Sequence, residues 1–144
     1  MARTTITVQT IVSASLAKVW ECWNKPEHIT KWAFASDTWE APEAENDVRT
    51  GGKFKTRMQA KDPSAGSGQA EGFDFEGTYT NVEEYRKIEY VMSDGRKVSI
   101  QFEEVDGGVK VTETFDPETE NSEDMQRSGW QAILDNFKKY VEDN

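Results

Sequence analysis

The feature that most constrains this chain is a series of short segments with alternating apolar and polar residues, followed by one long amphipathic segment. Alternation with a period of two is typical of strands with one buried face, and short connections join antiparallel neighbours. We therefore predict an antiparallel sheet with strands at 52–60, 72–82, 87–92, 97–105 and 109–115, and a weaker strand at 37–41. The Gly-, Ser- and Ala-rich stretch 61–71 is predicted to be a long hairpin loop. It is either a lid or a surface loop whose extra length has no function.

The residues before this sheet predict one more strand and two short helices. Residues 4–12 alternate at period two, and the hydroxyls within 13–15 can cap a helix in which Leu16, Val19, Trp20 and Trp23 share a face. Pro26 suits the first turn of a second short helix, over 26–32, because its missing N–H is not needed there.

The last segment predicts a long helix over 123–142, capped by Asn121 or Ser122. Acidic residues at its start complement the helix dipole, so they do not indicate a metal-binding loop. One broad face must cover another part of the molecule, and it comprises Gln126, Trp130, Ile133, Leu134, Phe137, Tyr140 and Val141.

The hairpin around Gly95 decides which side chains share the buried face of the sheet. A two-residue loop would pair Ile100 with Glu89, whereas a three-residue loop, with Gly95 in the left-handed region, pairs Tyr90 with Val98. We choose the second, because it gives a wholly apolar face of Ile88, Tyr90, Val98, Ile100 and Phe102. The same alternation places Phe54, Thr56 and Met58 on one face of an earlier strand, and Phe75, Gly77 and Tyr79 on one face of the next.

Glu113 is the odd member of an otherwise apolar alternating set that includes Val109, Val111 and Phe115. A two-residue turn at 106–107 or 107–108 would place it inside, opposite Ile100 or Phe102, whereas a three-residue turn would bring its threonine neighbours inward. A carboxylate on an apolar face needs a hydrogen-bond donor, a raised pKa or a wet cavity. A slipped register or an escape to solvent at the sheet edge are the alternatives.

Composition excludes several classes of function. The 144 residues suit one domain over 1–144, and a net charge of −10 argues against nucleic acid and anionic membranes. No apolar run is long enough to insert in a membrane and the N-terminus lacks a signal-peptide stretch, so we expect a cytoplasmic protein. A single Cys (Cys22) and a single His (His28) leave no disulfide and almost no route to a metal site. Cys22 is interpreted as a small apolar helix residue and His28 as a capping or surface group.

Several short motifs resemble one family over nearly the whole chain. They are VWECW (19–23), PEHITKW (26–32), GGKF (51–54), FEGTY (75–79) and GWQAILDNF (129–137). In this order, with the long final helix, they resemble the START-like (SRPBCC) superfamily, and within it the family similar to the C-terminal domain of activators of the heat-shock chaperone (Hsp90) ATPase. The resemblance implies an α+β helix-grip fold, in which a curved antiparallel sheet wraps around the C-terminal helix and two short helices follow strand one.

The resemblance also implies a cavity between sheet and helix that takes a small apolar molecule. Our candidate ligand-binding residues are Phe54, Met58, Phe75, Tyr79, Tyr90, Ile100, Phe102, Glu113, Trp130 and Phe137. The remaining tryptophans, at 20, 23, 32 and 39, are interpreted as packing residues. One alternative is an enzyme of the cyclase, aromatase or dehydratase kind acting on a polyketide-like substrate, with Glu113, Tyr79 or Tyr90 transferring protons. The other is a chaperone-associated domain that binds a protein partner. No cofactor is expected, and homodimerisation is left open.

Overall fold

The computed structural model describes residues 5–34, 39–60, 72–118 and 122–144. Its elements are β1 (Ile6–Val12), α1 (Leu16–Asn24), α2 (Pro26–Ile29), β2 (Trp39–Asn46), β3 (Lys53–Ala60), β4 (Gly72–Glu83), β5 (Lys87–Met92), β6 (Lys97–Val105), β7 (Gly108–Phe115) and α3 (Glu123–Asp143). The predicted loop at 61–71 lies outside the described residues. No helix in the described part of the chain is long and apolar enough to cross a membrane.

The strands form one antiparallel seven-stranded sheet in the order β1-β7-β6-β5-β4-β3-β2. From β2 onward each strand pairs with the next one along the chain, whereas β1 pairs with β7 at the far edge. The register shifts between Glu40 and Glu43 in β2 and between Tyr79 and Asn81 in β4. Such bulges bend strands, and the sheet curls into a half-barrel with one concave face.

The concave face carries the side chains that the alternation predicts. Tyr90 pairs with Val98 and Ile88 with Ile100, so the β5–β6 hairpin has the predicted three-residue turn. Its Gly95 has a φ of +95°, in the left-handed region that favours glycine. The predicted helix-grip fold is confirmed.

The helices begin where the capping residues predict. Ser15 Oγ accepts a hydrogen bond from the backbone N–H of Lys18, and Ser122 Oγ accepts one from Met125. Pro26 is the first residue of α2, although that helix ends at Ile29 and is shorter than predicted.

The long helix α3 lies in the curl of the sheet. At the edge of the sheet, Gln131 Nε2 donates to Gln9 O over 3.2 Å and Lys138 Nζ to Ile11 O over 2.8 Å. On the other side, Asn136 Nδ2 donates to Trp32 O over 2.9 Å. These bonds hold the helix between β1 and the segment that follows α2. The apolar face of the helix therefore packs against the concave face of the sheet.

Candidate functional site

A cavity of about 660 Å³ lies between the concave face of the sheet and the N-terminal half of α3. Strands β3, β4, β5 and β7 and the end of β2 form its wall, and α3, α1 and the segment around α2 close it. Its lining is mainly aromatic and aliphatic: Trp23, Ile29, Trp32, Ala33, Phe54, Met58, Phe75, Tyr79, Ile88, Tyr90, Met92, Trp130 and Ile133. The polar and charged residues on its wall are Asn46, Thr56, Asp74, Glu76, Ser93, Asp94, Arg96, Glu113, Glu118 and Gln126.

Seven of the ten candidate residues come together on this wall, namely Phe54, Met58, Phe75, Tyr79, Tyr90, Glu113 and Trp130. Their rings meet mostly edge to face, with 4.6 Å between the ring centroids of Phe54 and Tyr90 and 6.0 Å between those of Phe75 and Trp130. Trp130 is held by a parallel stack on Phe115, with 3.8 Å between centroids. This stack fixes the part of α3 that faces the cavity.

The other three candidates, Ile100, Phe102 and Phe137, are buried in the filled core and do not reach the cavity. The ring of Phe137 lies 4.9 Å from Trp23 and 4.8 Å from Trp32. Phe102 packs edge to face on Trp20 at 5.2 Å. Bulky tryptophans from α1 and from the segment after α2 therefore fill the space next to these three residues, which do not belong to the candidate site.

Glu113 lies inside the fold, opposite Ile100 of β6 and Val8 of β1. The two-residue turn at 106–107 sets this register, since Val105 pairs with Gly108. Glu113 is 6% exposed and lines the cavity. Among the described residues its carboxyl group has no hydrogen-bond or ion-pair partner, and burial alone raises its pKa to about 8.

Tyr90 is the second buried polar group of the cavity, and it shares the concave face with Glu113. Burial raises the pKa of Tyr90 well above its usual value, and the neighbouring Glu113 and Tyr79 raise it further. Its hydroxyl has no hydrogen-bond partner within the described ranges. At neutral pH the cavity thus holds a phenol and a carboxyl group that can each bond to a guest.

Tyr79 belongs to a buried polar chain behind the cavity wall. Its hydroxyl donates to Asn46 Oδ1, and burial raises its pKa. Asn46 Nδ2 in turn donates to Asn24 O over 2.7 Å, and Asn24 Nδ2 donates to Trp20 O over 3.0 Å. The chain connects the far wall of the cavity to α1, so it positions Tyr79.

Sequence reasoning missed several wall residues, of which Asn46 and Arg96 are the most informative. Asn46 escaped because β2 was predicted to end near residue 41, whereas it continues to Asn46 past Pro42 and a bulge. The acidic residues of β2 hide its alternation, although Ala41, Ala44 and Asn46 are less exposed than their neighbours. Arg96 follows the β5–β6 turn, where no periodicity operates. Trp23 and Trp32, interpreted as packing residues, also reach the wall.

His28 and Cys22 take no part in the cavity. Cys22 is buried in α1, as interpreted. His28 is not a cap or a simple surface group, because its Nδ1 lies 2.6 Å from the Tyr140 hydroxyl and its Nε2 lies 3.4 Å from a Glu21 carboxylate oxygen. It ties α2 to α3 and α1. Within the described ranges no cluster of His, Cys, Asp and Glu could hold a metal ion.

Comparison with solved structures shows the same fold in bacterial proteins. An AHSA1-like protein from Aeromonas hydrophila is 43% identical, with a TM-score of 0.87 over 97% of this chain and 93% of that one. A protein from Cytophaga hutchinsonii is 47% identical, with a TM-score of 0.80 over the same shares. A protein from Nitrosomonas europaea, at 17% identity and a TM-score of 0.77 over 96% of this chain and 94% of that one, shares the fold.

A search of the curated proteins finds no match. A family model, by contrast, covers most of the chain, matching residues 13–142, and its description is activator of Hsp90 ATPase homolog 1-like protein. With the two relatives above 40% identity, this match shows that the chain belongs to the AHSA1-like family.

Proposed function

We propose that this protein binds a small, largely apolar molecule in the cavity between the sheet and α3. The observation that carries the proposal is an aromatic-lined space of about 660 Å³ whose wall includes Glu113 and Tyr90, two buried polar groups with no partner among the described residues. Ligand pockets in proteins commonly combine roughly 300–1,000 Å³ of mostly apolar lining with a few convergent polar groups. The apolar wall supplies affinity and the polar pair orients the guest.

The test uses N-phenyl-1-naphthylamine, a neutral apolar probe whose fluorescence rises when it leaves water. We expect saturable binding to the whole chain and a loss of about tenfold or more in Ile133→Trp, because an indole at this cavity-lining position occupies the space of the guest. Met125→Trp is the matched control, since Met125 lies on the same helix and is 62% exposed. Equal affinity in the two variants, with both folded by circular dichroism, would contradict the proposal.

A second function, proton-transfer catalysis, is favoured by the position of Glu113. A buried carboxyl group with a pKa near neutrality can exchange a proton with a confined carbonyl compound. Native mass spectrometry of the gently purified protein separates the two functions. A guest whose mass and chromatographic retention both stay unchanged on incubation supports binding, whereas a guest that is converted, including to an isomer of the same mass, supports catalysis.

A chaperone-associated role rests only on the description of the family. Three large apolar side chains are exposed in the described ranges, Ile11, Tyr85 and Met125, and they lie on separate elements. They offer a weaker basis for function than the cavity, so we keep ligand binding as the proposal.

A further inference from the structure

The position of the buried Glu113 carboxyl group narrows the class of molecule that the cavity can bind. The residue is 6% exposed, lines the cavity and has no partner among the described residues. A buried carboxyl without a partner is costly when ionised, and a cation beside it removes much of that cost. Among the described residues no cationic side chain pairs with Glu113, so we look to the guest for that charge.

The charges around the cavity favour the same class of guest. Within the described part of the chain, Arg96 is the only cationic residue on the wall, and its Nε already donates to Asp94 Oδ2 over 2.7 Å. Besides Glu113, the wall carries four carboxylate residues, Asp74, Glu76, Asp94 and Glu118. Of these, Asp74 Oδ1 lies 3.7 Å from Nη1 of Arg57, a residue that does not line the cavity. The whole chain has a net charge of −10, and such a field attracts cations and repels anions.

Aromatic rings complete the recognition of a cation. Phe54, Phe75, Tyr90 and Trp130 all line the cavity that contains Glu113. Ring faces attract ammonium groups, and this attraction is strongest where water is excluded. The same rings accept the apolar part of the guest.

Extending the proposed function, and resting on it, we propose that the guest is an apolar organic cation, an amine whose ammonium group pairs with the Glu113 carboxylate while its hydrocarbon part lies among the rings. Binding forms an ion pair between the Glu113 carboxylate and the ammonium group, and the only bond that changes is the O–H bond of Glu113 where that carboxyl group is protonated beforehand. When Glu113 is protonated in the empty protein, the proton leaves to buffer as the amine binds.

Titratable and charged groups from several elements line the same cavity as Glu113. They are Tyr79, Asp74 and Glu76 from β4, Tyr90 from β5, Asp94 and Arg96 from the β5–β6 connection, and Glu118 after β7, and of these Tyr90 interacts with Glu113 electrostatically. The other lining residues on the helices and after α2, and the pairing partners of Glu113 on β6 and β1, are not titratable: Trp23, Ile29, Trp32, Gln126, Trp130, Ile133, Ile100 and Val8. Glu113 is therefore the one buried carboxyl group in this set. When it is ionised, the ammonium group of the guest balances its negative charge.

The experiment compares three probes of one shape by calorimetry on the whole chain: 1-naphthylmethylamine, 1-naphthylmethanol and 1-naphthoate. We expect the amine to bind about tenfold or more tightly than the alcohol at about pH 8.5, and the carboxylate to bind more weakly than either. From about pH 6 to pH 8 the amine affinity should rise by up to about tenfold per pH unit, since Glu113 must lose its proton. The alcohol affinity should stay nearly constant.

Glu113→Gln should lower the amine affinity by about tenfold or more and remove its pH dependence, while the alcohol affinity changes by less than about threefold. Glu103→Gln, at an exposed position on β6 that does not line the cavity, is the matched control and should change amine binding only slightly and less at high salt. The pH series on the unaltered protein keeps the test valid if the Glu113 variant fails to fold.

Two results would overturn the inference and leave the proposed function standing. One is equal affinity for amine and alcohol at every pH, and the other is tightest binding of the carboxylate, which would point to Arg96. If neither the naphthyl probes nor N-phenyl-1-naphthylamine binds, the proposed function fails as well.

Discussion

The two ends of the space between the sheet and α3 differ, although one helix covers both. At the C-terminal end, Leu134, Phe137 and Val141 are each 0% exposed and pack into a filled core. At the N-terminal end, Trp130 and Ile133 are only half-buried and line an open cavity. The amphipathic stripe of the helix is continuous, so the difference arises from what lies opposite it.

Tryptophan placement explains this difference. The packed end receives indoles from the segment between β1 and β2: Trp20 packs on Phe102, and Trp23 and Trp32 pack on Phe137 while they also line the cavity. The cavity end faces β4 and β5. On the concave face there, Gly77 has no side chain, and the ring of Phe54 lies beside it. In this protein a filled core and a cavity therefore lie at opposite ends of the space covered by one helix.

The largest expected effect tests this separation directly. Phe137→Ala at the packed end should lower the free energy of unfolding by about 3–5 kcal/mol, because it leaves a void among rigid indoles. Phe75→Ala at the cavity end should cost only about 1–2 kcal/mol, since the half-buried ring already borders open space. Urea unfolding followed by tryptophan fluorescence measures both. Equal losses would show that the two ends contribute alike to stability.

An intermediate effect is expected at Glu113, on the wall of the cavity. The pKa of Glu113 is ordinarily 4.5 and is raised to about 8 in the folded protein. Between these two pH values the folded protein keeps a proton on Glu113 that the unfolded chain releases. The contribution of Glu113 to stability is therefore fully present below pH 4.5 and is lost as the pH rises towards 8. The loss is at most about 1.4 kcal/mol per pH unit.

Glu113→Gln should remove this component. We expect the variant to be more stable than the unaltered protein by about 2–4 kcal/mol near pH 9, and within about 1 kcal/mol of it near pH 5. Urea unfolding of both proteins across this range gives the difference, in which other titrating groups cancel. A constant difference across the pH range would mean that Glu113 is not buried in the folded state.

The smallest effect concerns the polar chain behind the cavity. Tyr79→Phe removes the hydroxyl that donates to Asn46, and it should cost about 1 kcal/mol of unfolding free energy. Tyr85→Phe, at a ring that is 41% exposed, is the control and should change stability by less than about 0.5 kcal/mol. If the two variants were equally stable, the bond between Tyr79 and Asn46 would contribute nothing measurable to holding β2 against β4.

Most of the fold could be predicted because strand and helix periodicities are local. The β5 and β6 boundaries match their predicted bounds, the Gly95 turn has the length that the apolar face predicted, and Ser122 is the cap among the two predicted candidates. The strand β2 was misjudged because Pro42 and a bulge interrupt its alternation. The facing of Glu113 could not be decided from the sequence, because turns of two and three residues were both compatible with a Gly-rich stretch.

The candidate site was predicted less completely than the fold. Alternation and helical spacing found the inward faces of Phe54, Phe75, Tyr90 and Trp130, but the same reasoning selected Phe102 and Phe137. All six side chains point inward, and whether an inward ring meets a void or another ring depends on residues far away in the chain. For Phe137 these are Trp23 and Trp32.

The sequence by itself determined which residues face inward, because the periods of strands and helices are properties of neighbouring residues. Only the tertiary structure decided where the interior is filled and where it is hollow, and that Glu113 lies at the hollow end with no partner in the described part of the chain. The physical reason is that free volume and charge pairing are set by contacts between remote segments, here the two short helices, the sheet and the final helix, whose relative positions no local pattern encodes.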